Sequence, residues 1–79
     1  MPRYFFHLHN DVDTEDEEGQ ALAGETEARA RAAKYAREMV CESIRQNGHV
    51  NLDHSIVVAG EDGAELFTVR FGEVFEVIG

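Results

Sequence analysis

The sequence predicts an α+β domain: a small antiparallel sheet with one long helix packed across one face, in the order β-β-α-β-β. Three observations carry this. The chain opens on an alternating aromatic segment, its middle holds one long stretch of helical periodicity, and its last third contains two apolar runs separated by a turn with two glycines.

Residues 3–9 alternate as a strand does, with Tyr4, Phe6 and Leu8 on one face and Phe5, His7 and His9 on the other. Residues 10–18 contain six acids and no base. Like charges at this density resist packing and favour a solvated loop, and Gly19 permits a turn. Residues 20–23 fit a short returning strand, which makes a hairpin with an acidic tip. From Glu25 to Gln46, Ala28, Ala32, Tyr35, Ala36, Met39, Val40 and Ser43 recur at helical spacing. Gly24 or Thr26 starts this helix, and Glu25 and Glu27 suit the positive N-terminal end of its dipole. The pairs Glu25–Arg29 and Glu27–Arg31 stand in the favourable i,i+4 order, and Asn47-Gly48 is a stop signal. Such a helix is roughly 30 Å long, and its alanines allow close approach to a sheet. After a polar link, residues 55–59 form a buried strand, residues 60–63 a turn and residues 64–71 the return strand. Phe67, Val69 and Phe71 share one face of that last strand, and Leu66, Thr68 and Arg70 the other. The apolar tail, residues 73–78, fits either a last strand or a helical turn that caps the core.

Composition bounds the function. Seventy-nine residues hold one domain, residues 1–79, with one core. At this size folding buries only about 60% of the unfolded chain's surface. The hydrophobic fraction of 43% is that of a globular domain and too high for a disordered acidic chain. Sixteen acids against seven Lys and Arg argue against a nucleic-acid partner, which needs dense positive charge. The charge is uneven: eight acids lie between Asp11 and Glu27, and outside that stretch eight acids face seven bases. No apolar run approaches the roughly 20 residues needed to span a bilayer, so no membrane partner is expected. The opening residues lack a signal peptide's apolar stretch, and a single Cys forms no disulfide framework or Cys-rich zinc site. The expected location is cytoplasmic.

Several segments resemble a family of short bacterial proteins classed as a domain of unknown function. They are Met1-Pro2-Arg3-Tyr4-Phe5-Phe6-His7, Asp16-Glu17-Glu18-Gly19, the Ala-rich helix, Val57 and Val58, Asp62-Gly63, and Leu66 to Phe71. The likeness spans nearly the whole chain and implies no activity. The commoner family pattern places Leu-Pro-Asp before the helix. Here Leu22-Ala23-Gly24 stands in its place, so the N-cap acid is missing. In layout alone, the chain is also similar to HicB-type antitoxins, which implies a role in binding a partner.

Four groups of residues invite a chemical reading. Asp11, Asp13 and Glu15 have the alternate spacing that begins an EF-hand loop, but the sixth position is Asp16 rather than Gly and the twelfth is Leu22 rather than Glu. The plainer reading is a solvated, solubilising tip. His7, His9 and Asp11 lie on one face if the strand continues, at a spacing compatible with a transition metal. A surface pair of histidines is the plainer reading there. His49 and His54 flank a loop and form no motif. Cys41 sits one turn from Arg37 and from Arg45, which favours thiolate, but adjacent Glu38 and Glu42 dilute that field and leave an incidental thiol. No nucleophile elbow, phosphate loop or dinucleotide fingerprint occurs, and no catalytic, cofactor-binding or metal-ligating set is assigned.

One helix covers only one face of a four-stranded sheet, yet Phe5, Leu66 and Val57 or Val58 put apolar side chains on both. The second face must be covered by residues 74–78 or by another subunit. The expected function is therefore a non-enzymatic protein–protein interaction module or homodimer with no cofactor. The alternatives are a weak metal-binding or metal-responsive protein using His7, His9 and the acidic 11–18 loop, and an antitoxin-like inhibitor of a basic partner.

Overall fold

A computed structural model describes residues 1–79. It contains β1 (Arg3–His9), β2 (Gln20–Ala21), α1 (Glu25–Asn47), β3 (Ser55–Ala59), β4 (Glu65–Arg70) and a 3-10 turn, Phe71–Glu73. The strands form one antiparallel sheet in the order β2-β1-β3-β4. β2 and β3 both run antiparallel to β1 and so parallel to each other with β1 between them. The chain must cross the sheet to join them, and α1 makes that crossing. This is the expected α+β architecture.

The helix meets the sheet through Ala28, Ala32 and Ala36, all fully buried, with Val40 continuing the same row. Residues four apart form a ridge along a helix. Here the ridge is made of methyl groups, so the helix axis comes close to the strands. Tyr4, Leu22, Ile56, Val58, Val69 and Phe71 complete the core, flanked by Phe6, Leu8, Tyr35, Met39, Val50, Phe67 and Val74. Phe6 meets Tyr35 edge to face, with ring centroids 5.5 Å apart. The alternation read from the sequence is therefore correct in β1 and β4: Tyr4, Phe6 and Leu8, and Phe67, Val69 and Phe71, face α1.

The element ends differ in small, explicable ways. β2 stops at Ala21, because Leu22 turns its side chain into the core while its N–H bonds the carbonyl of Pro2. α1 runs one residue beyond the expected end. Gly48 then closes it in the left-handed conformation, its N–H on the carbonyl of Ile44. Gly24 is the N-cap and supplies no side-chain hydrogen bond. Glu27 reaches back instead and accepts the N–H of Ala23. β4 is shorter at both ends than the sequence suggests. A bulge at Val58/Ala59 disturbs its start, and Phe71 leaves the strand to begin the 3-10 turn.

That turn resolves the two readings of the tail. Phe71 and Val74 cap the core, and the residues after them join no strand. Val77 and Ile78 are 88% and 86% exposed, so the tail does not cover the second face of the sheet. The shortest dimension of the molecule, 16 Å, accommodates one sheet and one helix layer and no third.

Two substitutions test this packing in urea unfolding. Ala32→Leu forces a larger side chain into the helix–sheet contact and lowers stability by about 1–3 kcal/mol. Gly24→Asp restores a capping side chain where a Cβ meets nothing within 4 Å, and raises stability by a few tenths to about 1 kcal/mol.

Candidate functional site

The acidic hairpin between β1 and β2 has a defined structure. Leu8 and Thr14 exchange two backbone hydrogen bonds of 2.9 Å and carry the hairpin past the end of β2. Between that bridge and β2, the chain bulges away from β1 and the Asp16 carboxylate fills the gap. Oδ2 accepts the N–H of Phe6 at 3.1 Å, and Oδ1 accepts those of Glu18 and Gly19 at 3.2 and 3.1 Å. A side chain thus takes the place of a ladder carbonyl on β1 and caps the following turn. The turn needs Gly19, whose φ is +69°. A Cβ there would lie 2.9 Å from the Arg3 side chain, the Phe5 ring and the Tyr4 carbonyl oxygen. Arg3 completes the clamp by donating to the carbonyls of Glu18 and Gly19. The Asp16-Glu17-Glu18-Gly19 segment is therefore a folding device. Composition alone suggested a freely solvated loop.

Partial burial works to raise the Asp16 pKa. The N–H donors of Gly19, Phe6 and Glu18 outweigh it and hold the carboxyl below its ordinary 3.8. His7 takes part through Nδ1, which accepts the N–H of Asp16 at 3.1 Å. Its ring hydrogen in this arrangement sits on Nε2.

The histidines and acids that suggested a metal are dispersed into separate pairs. His7 bonds the Asp16 backbone, His9 Nδ1 lies 3.2 Å from Asp13, and His54 Nε2 lies 3.5 Å from Asp11. Asp11 points away from His7 and His9 toward the β3 side, because the strand ends at His9 and the loop turns at Asn10. No three His, Cys, Asp or Glu side chains converge on a point where an ion would sit. The strand does not continue to Asp11, so His7 and His9 remain a pair on that face without it. His49 stands with His54 around an open concavity of ≈510 Å³ beside the C-terminal end of α1, with Ser43, Asn47 and Leu52 among its other walls.

Cys41 is exposed on the solvent side of α1, as the helical wheel requires. The two cations that would activate it are engaged elsewhere. Arg45 bonds Glu42 at 2.6 Å, and Arg37 donates to the carbonyl of Val74. The wall around it is a shallow helix surface of Lys34, Arg37, Glu38, Glu42 and Arg45.

Sequence reading missed a cleft over the outer face of the sheet. His7 and His9 form its floor with Ala59; Asp13, Thr14 and Glu15 stand on one side, Gly63 and Glu65 on the other, enclosing ≈260 Å³. It exists because β1 and β3 pair with Phe5 opposite Ala59, a register that only the folded sheet defines. The charge follows the same division. α1 carries five bases and four acids, so the acid excess lies wholly in the sheet and loops, where twelve acids face Arg3 and Arg70.

The clamp yields two expectations. Asp16→Ala removes an acceptor from three N–H groups and costs about 1–3 kcal/mol in urea unfolding. The folded pKa is depressed, so the carboxylate contributes stability above the unfolded value and loses it as pH falls through the folded one. The gap between wild type and Asp16→Ala is thus full above about pH 5, starts to narrow as pH falls toward about 4 and is lost only below the folded value. Gly19→Ala forces a positive φ and a backbone clash and costs about 1–3 kcal/mol by the same measurement.

Searches of curated proteins and of solved structures return no match. One family model matches residues 3–72, from the first residue of β1 into the 3-10 turn. It spans the clamp, the helix and all four strands, and on that match the chain belongs to the family described as a domain of unknown function, DUF6894.

Proposed function

We propose that this domain is a non-enzymatic protein–protein interaction module that works as a homodimer. The observation that carries the reading is the second face of the sheet, which neither α1 nor the tail covers. Val57 and Ala59 are buried there among their neighbours, while Phe5 is half-buried and Leu66 is 44% exposed. Beyond the sheet, Phe75, Val77 and Ile78 add apolar surface without a partner. A chain with twelve buried residues gains little from its own core, and association supplies burial that the monomer lacks. The dispersal of the histidines and acids, together with engaged guanidiniums beside Cys41, favours binding over catalysis.

Light scattering coupled to size exclusion tests the reading between about 1 µM and about 1 mM. The expected mass is twice the chain's 8.9 kDa. A mass of one chain throughout that range overturns it.

A further inference from the structure

We propose that the contact between copies is made by the β4 edge: two β4 strands pair antiparallel across a two-fold axis and join two sheets into one of eight strands. This rests on the homodimer reading above for the oligomeric state alone: the contact lies at the sheet edge beside the open face and does not itself cover that face. The two edges of the sheet differ. At one edge β2 is only two residues long, the Asp16 carboxylate occupies the Phe6 N–H, and Glu17 and Glu18 stand outside it. Short strands, bulges and charges are the devices that stop a sheet edge from pairing. At the other edge β4 runs six residues with no proline, regular from Phe67 to Arg70 and bulged only near its start at Glu65. Its only charges, Glu65 and Arg70, stand at its two ends.

The ladder fixes which groups of β4 are free. Phe71 donates its N–H to His54 at 2.8 Å, and the β3–β4 register continues that pairing through Val69 opposite Ile56 and Phe67 opposite Val58. Bonded pairs alternate along an antiparallel ladder. The N–H and C=O of Thr68 and Arg70 therefore point to the open side, where no backbone or side-chain hydrogen bond reaches them.

The strand is complementary to itself. With the axis at Thr68, the two Thr68 residues exchange both hydrogen bonds, and a Thr–Thr pair is a favourable neighbour on a sheet. Arg70 of each copy falls opposite Leu66 of the other, one position from Glu65, so opposite charges stand one residue apart at both ends. On the helix side, half-buried Phe67 faces Val69 of the second copy. The pairing mode is strand addition, in which main-chain bonds supply the affinity.

The test uses Thr68→Pro in the full chain. The Thr68 N–H is unused in the monomer's ladder and proline is tolerated on edge strands, so the far-ultraviolet circular dichroism is retained. Light scattering is expected to show the dimer mass fall to that of one chain. Thr68→Lys sets two like charges face to face at the axis and is expected to weaken dimerisation at least about tenfold. It decides the question if the proline variant does not fold. In hydrogen exchange, the Thr68 and Arg70 amides of the wild type become protected as concentration rises. A dimer whose mass survives in the folded variants overturns the edge contact and leaves the homodimer reading standing. A wild type that remains a single chain overturns both.

Discussion

The constraint on which the rest of this structure depends is that a single helix must serve as the whole second layer. Ala28, Ala32 and Ala36 make that workable. Their methyl groups bring the helix close to the strands, so that Tyr4, Val58, Val69 and Phe71 occupy the space between. No buried polar side-chain atom is left without a partner, and the helix side of the sheet is a finished interior. The same arrangement leaves the other side unfinished. A chain of this length has no second helix to place there, and the tail is spent on capping the near side with Phe71 and Val74.

The acidic hairpin answers a different problem. β1 is a central strand, yet β2 pairs with only two of its residues. The exposed stretch of β1 is closed by the Thr14 bridge and by the Asp16 carboxylate, which bonds the one N–H that the bulge leaves open. Concentrating acids at this place serves two ends. Asp16 is a structural acceptor, while its neighbours keep that edge charged and unsuited to pairing with another strand. The β4 edge is less protected, with one bulge near its start, a charge at each end and no side chain on its free backbone groups, and this asymmetry is the physical basis of the edge contact proposed above.

The candidate chemistry read from single residues dissolves into structural pairings when the chain folds. His7 holds the Asp16 backbone, His9 and His54 each stand beside a different aspartate, and Arg37 and Arg45 turn away from Cys41 to other partners. What remains is surface: a cleft floored by His7 and His9, the exposed Leu66 on the outer face, and an open strand edge.

The sequence by itself determined the elements and their inward faces. Periods of two and of nearly four residues are set by backbone geometry alone, so Tyr4, Phe6 and Leu8, the alanine row, and Phe67, Val69 and Phe71 were legible without coordinates. Glycine at position 48 marked the helix end for the same local reason. Only the tertiary structure decided where long-range partners fall. Asp16 looks like one acid among six until Phe6, ten residues earlier in the chain, is placed within reach of it. Asp11 belongs with His7 and His9 by spacing and with His54 in space. The tail's apolar residues fitted a strand by composition, but the near side had room only for Phe71 and Val74. Such choices depend on contacts between segments far apart in the chain, for which local periodicity carries no information. They set both the clamp that seals one edge of the sheet and the edge that is left open.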